Sequence, residues 1–184
     1  MQAGPGVTAA EQEIYRVGAS ARARGMKDGE VAAATAYETA LMQWVKDGTG
    51  RDALIATAKA SSDARWASLV ELVDDRLPKV SSARSKRFWY FDPAPELAKV
   101  RVPILALYGD RDGFVPVGRS REVLKKAFAE SNNRDSEIIT LPGAIHGMWQ
   151  AEKDSFAEVA YSHGFHAGYW PAIDRWLTKQ GLSR

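Results

Sequence analysis

Cysteine is missing from all 184 residues. That absence removes disulfides, thiolate metal sites and a cysteine nucleophile together, and it leaves the redox compartment open. Long apolar runs are missing too. No stretch reaches the roughly 20 residues that cross a bilayer as a helix, and Met1-Gln2-Ala3-Gly4 does not open a secretory leader. A cytoplasmic location is therefore the default expectation, with no membrane partner. Nor does one sign of charge prevail: 25 Lys and Arg stand against 23 Asp and Glu, a net of +2. So small an excess, without a basic stripe or interleaved aromatics, gives no footprint for nucleic acid. The one basic cluster, Arg84-Ser85-Lys86-Arg87, reads as a solvated turn. Internal repeats and low-complexity segments are lacking as well.

What is present suffices for a core, since 45% of the residues are hydrophobic. The first half reads as helical. Thr8 and Glu11 have the spacing of a capping box, in which each side chain satisfies the other's backbone N–H. A helix from there is expected to stop at Gly25. Asp28 is expected to cap a second helix, running through Ala32, Ala36, Ala40 and Trp44 to Gly48. Shorter helices are expected over 51–60 and 63–73, and a loop around Ser81-Ser82 after the break at Pro78.

The second half changes character. Pro103 to Tyr108 is a short apolar run closed by Gly109, and Ser136 to Leu141 is another, closed by Pro142-Gly143. Such runs suit strands buried on both faces, as in a parallel sheet. Between them, residues 118–130 carry Val123, Leu124, Ala127 and Phe128 on one helical face. The result is a βαβ unit, followed by a last helix over 168–179 with Ile173, Trp176 and Leu177 inward. Two strands are few for a parallel sheet, so the expected fold is α/β but partial. It divides into a helical, lid-like region (1–91) and a core portion (92–184).

Two loops hold the chemistry. Gly109-Asp110-Arg111-Asp112-Gly113 follows the first strand, and Gly143-Ala144-Ile145-His146-Gly147 follows the second. Ligands of open α/β sheets bind at the carboxyl ends of the strands. An aspartate there can orient a histidine from the neighbouring strand, and the histidine can then move a proton to and from a hydroxyl nucleophile. Taken singly, an Asp in a Gly-rich turn is usually turn chemistry and a His before Gly a bonded loop residue. Acid first, then histidine, each after a strand, is what gives the pair weight.

On these residues, 92 to 149, the chain resembles the α/β-hydrolase superfamily, and within it the serine aminopeptidase and dipeptidyl-peptidase-like esterases. Gly4-Pro5-Gly6 followed by Glu11-Gln12-Glu13 is similar to the segment beyond the nucleophile elbow in that branch. The resemblance implies the C-terminal part of a serine hydrolase acting on an ester or peptide, with Asp112 as the acid and His146 as the base. It implies that Asp110 supports its turn rather than the triad, and that no cofactor and no metal is needed.

The sequence departs from the superfamily at the nucleophile. No Gly-x-Ser-x-Gly elbow exists; Gly18-Ala19-Ser20-Ala21-Arg22 and Gly118-Arg119-Ser120-Arg121 both lack the closing glycine. A truncation or a gene fragment accounts for this, and the missing nucleophile could be Ser or, as in dehalogenases and epoxide hydrolases, Asp. Ser120 or Ser155 acting with His146 is one alternative, and a non-catalytic binding or assembly module is another. Trp89, Phe91, Phe114 and Trp149 are candidates to line a substrate pocket, against the plainer reading of aromatic packing. His163 and His166 lack a third ligand at a matching offset, and Asp110 to Gly113 lacks the rest of a calcium loop. The first strand is also expected to leave one edge unpaired, a template for a homodimer.

Overall fold

The computed structural model describes residues 6–151 and 164–182. They fall into two compact units, Thr8–Asp92 and Pro93–Arg184 with Met1–Val7. No helix among the described residues is long and apolar enough to cross a membrane.

The unit Thr8–Asp92 is helical: α1 (Ala9–Ala23), α2 (Asp28–Asp47), α3 (Arg51–Ala60), a 3-10 turn (Arg65–Leu69) and α4 (Ala83–Trp89). The capping box at Thr8 and Glu11 is formed on both sides, and Gly48 ends α2 in the left-handed conformation, φ 83°. One expectation needs correction here. The N-cap of α2 is Lys27, not Asp28; the Glu30 carboxylate accepts the Lys27 N–H at 2.9 Å, and Asp28 sits in the first turn. Ala32, Ala36 and Ala40 lie on the exposed face of α2, while Val31, Ala34, Tyr37, Leu41 and Val45 are buried. The bulkier side chains remove more apolar area from water, so they fix which face turns inward.

The expected helix over 63–73 is instead the short turn Arg65–Leu69 followed by extended backbone. Its turn brings Trp66 and Leu69 into burial three residues apart. The chain beyond is claimed by side chains of α1 and α2: Arg16 donates to the Leu69 carbonyl (3.0 Å), while the Tyr37 hydroxyl donates to the Glu71 carbonyl (3.1 Å) and accepts from Val73 (2.9 Å). The basic cluster is no turn either. It belongs to α4, whose N-cap Ser82 accepts the Ser85 N–H at 3.0 Å, with Lys86 and Arg87 near the negative C-terminal end.

In the unit formed by Met1–Val7 and Pro93–Arg184, a short α5 (Ala94–Leu97) precedes β1 (Leu105–Gly109), α6 (Val117–Glu130), β2 (Glu137–Leu141), a turn at His146–Met148, and α7 (Tyr169–Lys179). β1 and β2 run parallel, in register from Leu105 opposite Glu137 to Gly109 opposite Leu141. Both faces are covered. Leu107 and Leu141 pack with Ala172 and Ile173 of α7, whereas Tyr108 packs with Val115 and with Leu124 of α6. This unit is thus α/β with a two-stranded parallel sheet, among the described residues.

Among the described residues the sheet has an open side. The Ile104 carbonyl accepts from Glu137 (2.8 Å), and Asp110 donates to the Leu141 carbonyl (3.3 Å). Alternate residues of a parallel strand face the same neighbour, so Leu105 and Leu107 turn their N–H and C=O groups away from β2. A cavity of about 490 Å³ runs beside that strand, lined by Val102, Pro103, Leu105, Tyr169, Ile173 and Trp176. The homodimer expected at such an edge is read directly by light scattering at low micromolar concentration. Twice the chain mass is expected, and a mass of 20.2 kDa refutes it.

Candidate acid–base site

β1 and β2 end side by side, so the loops that leave them are neighbours. After Gly109 the chain turns back, with the Asp112 N–H on the Gly109 carbonyl (3.3 Å). Asp112 is 2% exposed. Its Oδ1 accepts the N–H groups of Phe114 (2.8 Å) and Val115 (2.9 Å), which compensate the lost hydration of the carboxylate just before α6 begins. Its Oδ2 lies 3.0 Å from Nδ1 of His146. A carboxylate only accepts, so Nδ1 carries a proton, and in the neutral ring Nε2 is the nitrogen with the free lone pair. The acid is fully enclosed, while the histidine side chain is 34% exposed. A base that reaches solvent, oriented by a carboxylate that does not, has the geometry of general acid–base chemistry.

The histidine loop is tightly tied. Ile145 N–H donates to the Trp149 carbonyl (2.9 Å) and Met148 N–H to the Ile145 carbonyl (3.1 Å). Gly147 and Met148 both have positive φ, 76° and 63°. The second is costly for a side chain, and burial of Met148, 1% exposed, holds it there. Phe114 packs its ring on the His146 imidazole, centroids 4.9 Å apart. In β1, Tyr108 is 1% exposed and its hydroxyl finds no partner. Burial, with the nearby Asp112 charge adding to it, pushes that phenol up to about 12.

Asp112, His146 and Phe114 are thus brought together. The Trp149 ring stacks on Phe165 at 4.8 Å, and Phe165 stacks on Tyr169 at 4.7 Å. Trp89 and Phe91 belong to the helical unit, Trp89 packed against that unit's core and edge-on to Phe88, Phe91 55% exposed. Ser120 is 0% exposed and its Oγ has no partner, so its hydroxyl is not open to a substrate. His166 is a loop residue whose Nδ1 accepts the Gly168 N–H at 3.0 Å. Ser155 and His163 lie outside the described residues. No group of three metal-ligating side chains occurs among the described residues.

Two residues outside the pair, Asp110 and Arg111, tie the loops together through three bonds. The Asp110 carboxylate bonds the Gly143 N–H of the other loop (2.6 Å), the Arg111 N–H reaches the Ala144 carbonyl (3.1 Å), and the Arg111 side chain holds the Ala151 carbonyl (2.9 Å). Only the alternation Asp-Arg-Asp after a strand-ending glycine hinted at them.

Neither curated proteins nor solved structures show a match to the chain. A family model does: that of the Dienelactone hydrolase family, over residues 90–179. Over that stretch, with its parallel strands and the paired loops at their ends, the chain is similar to the α/β-hydrolase superfamily, to which that family belongs.

Proposed function

We propose that the unit built on Pro93–Arg184 supplies the acid and base of a hydrolase for carboxylic esters, Asp112 holding the imidazole and His146 relaying the proton. The observation that carries this reading is the Asp112–His146 hydrogen bond between loops leaving adjacent parallel strands. The matched family takes its name from a lactone, a cyclic ester, which favours an ester over a peptide. In this scheme a hydroxyl attacks the ester carbonyl. His146 Nε2 accepts its proton and returns it to the leaving alcohol; water, deprotonated by the same nitrogen, then cleaves the acyl ester, freeing the acid and restoring the hydroxyl, and Asp112 stabilises the imidazolium in each step. The helical unit Thr8–Asp92 serves as the lid. The nucleophile comes from outside these residues, since no Gly-x-Ser-x-Gly is present.

A non-catalytic module of hydrolase ancestry is the second reading, favoured by that same missing elbow. Two experiments decide. A fluorophosphonate probe is expected to leave the purified chain unlabelled, and p-nitrophenyl acetate hydrolysis is expected to stay at background. Labelling of one serine that disappears in His146→Ala overturns the external nucleophile. If the gene reads upstream through an elbow, the longer product is expected to hydrolyse short esters. There His146→Ala is expected to lower kcat by about 10⁴-fold or more; an unchanged rate sinks the acid–base reading in favour of the module.

A further inference from the structure

We infer that Asp110 is a positioning residue, whose carboxylate holds the His146 loop at the height where the imidazole meets Asp112. The inference rests on the acid–base reading above. The two members of the pair sit on different loops, so their 3.0 Å separation is only as fixed as one loop is against the other. Backbone pairing carries the register past the strands: Asp110 N–H bonds the Leu141 carbonyl, and Arg111 N–H bonds the Ala144 carbonyl. Between those two acceptors the histidine loop turns at Gly143, whose φ is 82°. Its N–H leaves the pairing there, and the Asp110 side chain takes it at 2.6 Å. A charged acceptor makes this the strong kind of hydrogen bond. It reaches 33 positions along the chain instead of closing its own turn. The roles expected of the two aspartates are therefore partly exchanged. Asp112 does the local work of an Asx turn on Phe114 and Val115 while it faces the histidine. Asp110 makes no side-chain contact to the histidine ring, yet it fixes the turn three residues before it.

The test is proton NMR of the 184-residue chain with ¹⁵N-labelled histidine, following the Nδ1-bound proton of His146, assigned by its absence in His146→Gln. Wild type is expected to show this resonance, and Asp112→Ala to lose it. Asp110→Ala is expected to lose or broaden it as well, with amide exchange at Gly143 accelerated several-fold, while the methyl signals of the strand core stay in place. Asp110→Asn keeps an oxygen in the same position and is expected to restore both readouts. Retention of the resonance in Asp110→Ala, alongside its loss in Asp112→Ala, overturns the positioning role and leaves the acid–base pair standing. Absence in wild type, or persistence in Asp112→Ala, removes the pair and the inference with it. Should Asp110→Ala not fold, Asp110→Ser, whose hydroxyl is too short to reach Gly143, gives the same decision.

Discussion

Gly109→Ala is expected to destabilise the α/β unit by about 3 kcal/mol or more, the upper end of what overpacking costs. The last residue of β1 lies directly under the histidine loop. A methyl group there would sit 2.6 Å from the Ala144 carbonyl carbon and 2.9 Å from the Ile145 carbonyl oxygen, with the Ala144 oxygen closer still. All three neighbours are backbone atoms, so no side chain can swing aside. The loop cannot easily rise, because Ala144 and Ile145 are 0% and 3% exposed and Ala144 is bonded to Leu141 and Arg111. Urea denaturation followed by near-ultraviolet circular dichroism measures the loss, and by heat a drop of roughly 10 °C corresponds to it in a chain of this size. A change below about 1 kcal/mol would mean that the two loops are not in this contact.

The second large effect depends on pH. Glu38→Gln is expected to stabilise the helical unit by up to about 3 kcal/mol at pH 8 and by almost nothing at pH 4.5. Glu38 is 3% exposed on α2. Burial pushes its carboxyl from the ordinary 4.5 up to about 7, and the neighbouring Glu13 and Glu71 push the same way, against Arg16. Arg16 relieves little, since its guanidinium is held by Glu13 at 2.6 and 2.8 Å and by the Leu69 carbonyl. The folded value is raised, so folded and unfolded chains are equally protonated below 4.5. Between 4.5 and 7 the unfolded chain releases a proton that the folded chain keeps, and stability falls as pH rises. Above 7 the folded unit holds a buried charge, and the full cost is present. Glutamine removes the titration and keeps the shape. A wild-type-to-variant difference that does not grow between pH 4.5 and 8 would count against this account.

Much of this architecture is legible in the chain because its signals are local. The Thr8 and Glu11 pair, Gly48 and the two apolar runs each encode their outcome within a few residues. The Asp112 and His146 pair was legible for a different reason: strands that pair in parallel leave their following loops at the same end. The remainder depends on partners far away in sequence. Nothing near Val73 announces that the Tyr37 hydroxyl will replace a helical bond there. Nothing near Asp110 announces Gly143. Ser82 did carry a cap signal, and it was outweighed by the charges that follow it. Nothing near Trp149 announces that its ring will stack on Phe165, which stacks in turn on Tyr169.

The two oxygens of Asp112 give the pair a direction. Oδ1 is engaged by two amide donors, so whatever occupies position 112 must present an acceptor on that side. A carboxylate has an acceptor on the other side as well, and the imidazole answers with a proton on Nδ1. An asparagine would have to turn its amide oxygen toward Phe114 and Val115 and its NH₂ toward the ring. Nδ1 would then become the acceptor and Nε2 the donor, with every heavy atom close to where it is now. The loop that opens α6 thus acts as a polarity key. Two peptide amides that never approach a substrate determine which end of the imidazole can take up a proton and which end can only give one.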